Sequence, residues 1–82
     1  MMYEVIDVKP LEEYKLLVTF NTGEIKIKDI KPLFNKGVFK ALQNKNFFNS
    51  ARVDSGAITW GYDIDAIDLC PDNTFQTSIP VK

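Results

Sequence analysis

The sequence predicts an α+β fold, a small single domain of antiparallel β-hairpins packed against short helices. Three observations carry that reading. Glu4 to Lys28 is rich in β-branched and aromatic residues with a period of two; a three- and four-residue spacing replaces it from Ile30 to Phe48; a second strand pair follows from Ala51 to Trp60. The chain has 82 residues, 45% of them apolar and 26% charged, the balance of a globular chain with room for one core. The expected domain spans residues 1–82, its core about 3–70 and its C-terminal tail 71–82.

Glu4 to Lys9 carries Val5, Ile6 and Val8, whose branched side chains lose rotamer freedom in a helix and pack well on a pleated surface. This strand is expected to stop at Pro10, which has no N–H to donate. Tyr14 to Phe20 places Tyr14, Leu16, Val18 and Phe20 on one face, as in a half-buried strand. Asn21-Thr22-Gly23-Glu24 supplies residues that tolerate left-handed backbone, and Ile25 and Ile27 then alternate with Lys26 and Lys28. A hairpin is expected here, with its lysines exposed.

Ile30, Leu33 and Phe34 surround Pro32, which suits a first helical turn, so a short helix or 3₁₀ turn is expected. After Gly37, the residues Val38, Phe39 and Leu42 fall on one face of an amphipathic turn and a half, with Lys36 and Lys40 opposite. Asn44 to Asn49 repeats the pattern around Phe47 and Phe48. Segments this short depend on packing against the sheet. Ala51–Asp54 and Ala57–Trp60 form a second hairpin about Ser55-Gly56. Asp63 to Leu69 reads as a loop entering one helical turn, with Asp65 as N-cap. Pro71 to Lys82 reads as a tail that adds an irregular strand through Phe75 and Ile79 or docks on a partner.

Composition removes whole reaction classes. With no histidine and a single cysteine, Cys70, the chain builds no Ser-His-Asp triad, no Cys-His pair and no ordinary zinc site. Cys70 has no partner for an internal disulfide and no neighbouring base, so an inert thiol is the default. The N-terminus lacks a basic region leading into an apolar run, and Leu16-Leu17-Val18 is far too short to cross a bilayer. A cytoplasmic protein with no membrane partner is expected. A core of this size supplies roughly 3–5 kcal/mol, so a homo-oligomer or a protein partner would help it.

Asp63, Asp65, Asp68 and Asp72 invite a metal hypothesis, because hard cations take several carboxylate oxygens from a tight loop. The calcium-loop template fails: Ile67 stands where a ligand is needed, Asp68 where glycine makes the turn, and Thr74 where a carboxylate closes the site. Capping and solvent-facing roles are favoured, and no metal or cofactor is expected. A metal-dependent hydrolase using Asp63, Asp65 and Asp68 is the least favoured alternative.

Charge is segregated along the chain. Between Lys26 and Lys45 six lysines oppose one aspartate, a local net of +5, while Asp54 to Asp72 holds five aspartates and no basic residue. The total is −1, so attraction to any partner must be local. Solubility and protection of a sheet edge explain the lysines in the ordinary case; a charge-matched protein partner comes next, with Lys26, Lys28 and Lys31 as its contact residues. Nucleic acid ranks last, because Arg52 is the one arginine and no helix-turn-helix pattern is present. Trp60 is expected in the core with its indole edge near the surface, and an anchor role beside Asp63 and Asp65 is its alternative.

The succession VKPLEEYKLLVTFNTGEIKIKDIKPLF, then GVFKALQNKNFF, then ARVDSGAITWGYDIDAIDL resembles the bacterial domain-of-unknown-function 2442 family over about Val5 to Leu69. The most specific pieces are Lys9-Pro10-Leu11, the Phe20-to-Glu24 turn, Asp29 to Leu33, Phe47-Phe48, Val53-Asp54 and Trp60 to Ile64; family members often place Pro, Asn and Gly after the tryptophan, where this chain has Gly61-Tyr62. The resemblance implies a small α+β domain, no catalytic residues to carry over, and the antitoxin role in toxin–antitoxin gene pairs. Together these readings lead to the expectation of a non-catalytic binding module that masks a small toxin-like protein encoded by a neighbouring gene. The alternative is a DNA-binding regulatory module using the Lys26–Lys45 stretch.

Overall fold

The computed structural model describes residues 3–61 and 66–81. Among them are two antiparallel sheets and short helices, an α+β architecture. The larger sheet has the order β1 (Val5–Leu11), β2 (Lys15–Phe20), β3 (Ile25–Asp29) and β7 (Ile79–Pro80). The smaller has the order β4 (Arg52–Asp54), β5 (Ala57–Trp60) and β6 (Ile67–Leu69). Between β3 and β4 run 3₁₀ segments at Lys31–Leu33 and Gly37–Gln43 and a single α-turn, α1 (Lys45–Phe48); α2 (Pro71–Thr77) precedes β7.

Alternation along β2 sends Leu16, Val18 and Phe20 inward, each fully buried, as the sequence predicts. Against this face lie Ile30, Leu42, Phe48, Ile58 and Trp60, with Ile67 and Leu69 at the margin. Each such side chain stabilises by about 1.5–3 kcal/mol when withdrawn from water. Tyr14 binds the layers together: its hydroxyl donates to the Gln43 carbonyl at 2.7 Å, and its ring meets Phe34 and Phe48 edge-on. It belongs to a turn, with φ of 58°, rather than to the strand.

Both predicted hairpins form. Gly23 at φ 90° closes β2–β3, and Ser55 and Gly56, both with positive φ, close β4–β5. Four further expectations are corrected. β1 continues through Pro10, because it is an edge strand where a missing N–H breaks no ladder bond. Ile67–Leu69 is a strand rather than a helical turn, since pairing with β5 buries Ile67 and Leu69 while Asp68 points out. The expected cap, Asp65, lies outside the described residues.

Third, the C-terminal segment holds a helix where a tail is expected. Pro71 occupies the first turn with Asp72 beside it, and Pro71, Thr74 and Ser78 form the buried stripe. Phe75 is therefore helical, while Ile79 does join the sheet, paired with Ile27. Fourth, Val38 is 66% exposed. A 3₁₀ segment has three residues per turn, so Phe39 and Leu42 share the inward ridge and Val38 falls off it. No described helix is long and apolar enough to cross a membrane.

Candidate protein-binding surfaces

The predicted contact residues separate in space. Lys26 is 8% exposed, contrary to expectation. The turn between β2 and β3 sets Thr19 opposite Ile25 and Val18 opposite Lys26, so Lys26 shares the inward face of Val18. Its ammonium donates to the Phe75 carbonyl at 2.9 Å and sits 3.6 Å from the centroid of the Phe75 ring. It holds α2 in place rather than meeting a partner. Phe75 also stacks on Tyr3 at 3.7 Å and meets Phe20 edge-on at 5.0 Å.

Trp60 is fully buried, and its Nε1–H donates to the Phe48 carbonyl at 2.9 Å. The indole edge thus finds its acceptor inside the molecule instead of near the surface, and Trp60 offers no surface to a partner. Asp63 and Asp65 lie outside the described residues. Asp68 is exposed on β6, and Asp72 accepts from the Tyr3 backbone N–H at 2.9 Å.

Lys31, by contrast, is exposed, and so are Lys36, Lys40 and Lys45. No acidic residue occurs from 31 to 48, so these four cations are not neutralised along their own segment. Val38 stands between Lys36 and Lys40 along the chain and is the most exposed large apolar residue of this segment. Lys45 lies 5.5 Å from the Tyr14 ring centroid. Lys28 is half-buried and donates to Thr77 Oγ1 at 2.8 Å. Burial pushes its ammonium below the ordinary lysine pKa, Asp29 opposes that shift, and Lys36 adds to it.

A second surface was not singled out by the sequence. The register pairs Leu17 with Ile27 and Ile27 with Ile79, which makes an apolar row across β2, β3 and β7 on the outer face of the larger sheet. Ile25 and Ile79 are 44% and 71% exposed. At the end of β7 the face opens into a groove of about 590 Å³, lined by the apolar Ile27, Pro32, Ile79 and Pro80, by the charged Lys15, Lys28 and Asp29, and by Thr77. The available signal was Leu17, which breaks the alternation of β2.

Among the described residues no group of histidine, cysteine or acidic side chains could hold a metal ion. Comparison with known proteins gives one family: the model described as "Protein of unknown function (DUF2442)" matches residues 5–73. No curated protein and no solved structure matches.

Proposed function

This chain belongs to the DUF2442 family of proteins of unknown function, and on that premise we propose that it is a non-catalytic binding module, the antitoxin-like component that masks a small toxin-like protein encoded beside it. The observation that carries the reading is Val38, 66% exposed in a segment bearing four exposed lysines and no acid. An exposed aliphatic residue amid single-sign charge suits a partner with an apolar spot rimmed by carboxylates: the charges orient the encounter, and desolvation of the centre holds the complex. Lys31, Lys36 and Lys40 are the steering residues. Lys26 is excluded from that set by its burial, and Lys28 by its bond to Thr77.

The test is co-expression of the tagged chain with the product of the adjacent gene, followed by affinity purification. The two proteins should co-purify in equal amounts, and Val38→Asp should abolish this while leaving the melting temperature unchanged. Failure of the wild-type pair to co-purify overturns the reading.

A further inference from the structure

The outer face of the four-stranded sheet has no covering layer among the described residues, and we propose that a second copy of this chain covers it, the two sheets packing face to face about a twofold axis near Ile79. The inference stands apart from the proposed function, because the segment carrying Val38 lies against the opposite face through Phe39 and Leu42.

The first argument is the contiguity of the apolar groups. Singly exposed aliphatic residues are ordinary. Here the pairings Leu17–Ile27, Ile27–Ile79 and Thr19–Ile25 put four aliphatic side chains on neighbouring positions of one face, and Val81 continues the line, its N–H donating to the Ile25 carbonyl at 3.0 Å.

Charge selects the occupant. The same face carries Asp7 and Lys9 on β1, Lys15 on β2 and Asp29 on β3, with Lys15 directly opposite Asp29. Two charges of each sign flank the apolar row, and Lys28, at the wall of the groove, is held by Thr77. A twofold operation brings a face against itself, so a balanced set can pair with its own copy, whereas an acidic or a basic partner would meet like charges at half of these positions. Shape points the same way. Ile79 protrudes, 71% exposed, and it also walls the groove with Ile27, Pro32 and Pro80. An isologous contact requires each copy to offer both the protrusion and the hollow.

The extent suits a weak contact. Strands about 4.8 Å apart that rise about 3.3 Å per residue give this face a projected area of about 320 Å². With the relief of the side chains, two such faces hide about 1,000 Å² together, the size of a weak or transient association. A weak, concentration-dependent dimer is the expected species.

Sedimentation velocity over a wide concentration range should show wild-type protein passing from monomer to dimer, and the variant I25K/I79D remaining monomeric with an unchanged near-ultraviolet circular dichroism spectrum. In a C70S background, I79C should form an intermolecular disulfide under mild oxidation, because a residue near a twofold axis meets its own copy. Wild-type protein that stays monomeric at every concentration overturns the proposal. So does a dimer that survives I25K/I79D, or one in which the I79C variant fails to cross-link.

Discussion

Lys26 reaches across the fold to Phe75, its ammonium 2.9 Å from that residue's carbonyl oxygen and 3.6 Å from its ring centroid. One side chain thereby occupies a carbonyl in the last turn of α2 and covers the aromatic ring that packs on Tyr3 and Phe20. A cation at a helix C-terminus also opposes the helix dipole favourably. Lys26→Met keeps most of the stem and removes the charge, and should cost about 2 kcal/mol in chemical denaturation. Hydrogen exchange should show the loss concentrated at residues 71–81. Protection that falls evenly across both sheets would contradict this role.

Trp60 and Phe48 make a second linkage, the indole N–H donating to the Phe48 carbonyl in a fully buried setting. Trp60→Ala should cost about 3–5 kcal/mol, enough to unfold a domain of this size. Trp60→Phe preserves much of the volume and removes the indole donor, but the carbonyl still accepts from the Ala51 N–H at 3.2 Å, so it should cost about 1 kcal/mol. Thermal denaturation of the two variants checks both figures.

Lys28 gives a prediction with a definite sign in pH. Its folded pKa lies below the ordinary 10.5 because burial disfavours the ammonium. Below the folded value both folded and unfolded chains carry the charge, and the burial penalty is present in full. Between the folded value and 10.5 the unfolded chain binds more protons, so stability from this group rises with pH. The stability difference between wild type and Lys28→Met should therefore move in favour of wild type as pH is raised toward 10.5. Denaturant titrations at several alkaline pH values measure it; a constant difference would contradict the assignment.

Two glycines separate backbone strain from crowding. At Gly23, φ 90°, a Cβ meets nothing within 4 Å, whereas at Gly56, φ 81°, it falls 3.2 Å from Cγ of Glu4. The Gly56 carbonyl also accepts from the Val5 N–H at 2.8 Å, joining the second hairpin to β1. Gly23→Ala should cost about 1 kcal/mol. Gly56→Ala should cost more, by up to about 1 kcal/mol, unless the flexible Glu4 side chain moves aside. The double variant Glu4→Ala/Gly56→Ala should recover only part of that excess, because the Cβ of residue 4, 3.3 Å away, remains, and urea denaturation of the three variants measures it.

The elements carried by local patterning were legible in the sequence. β2 and both hairpins rest on period-two alternation and turn glycines, and the 3₁₀ turn at Lys31–Leu33 rests on Pro32. Most of what failed depends on contacts distant in the chain. Lys26 reads as a solvent-facing lysine until its register opposite Val18 and its acceptor 49 residues away are known. The strand at Ile67–Leu69 is three residues long and exists through pairing with β5. Val38 leaves the face that an α-helical period assigns it because the segment is 3₁₀. The apolar row on the outer sheet face needed three strand registers at once, and Leu17 alone hinted at it.

In the proposed function the lysine-bearing segment around Val38 steers a carboxylate-rimmed protein partner. The most direct measurement is the association rate of the chain with the neighbouring gene's product at about 50 mM and about 500 mM salt, for wild type and for K36E/K40E. Steering predicts that the wild-type rate falls several-fold at the higher salt, where the Debye length contracts to a few ångströms. It also predicts that the variant associates about tenfold more slowly at low salt, with a dissociation rate nearly unchanged and little remaining salt dependence. Equal association rates for the two proteins at both salt concentrations would contradict the claim.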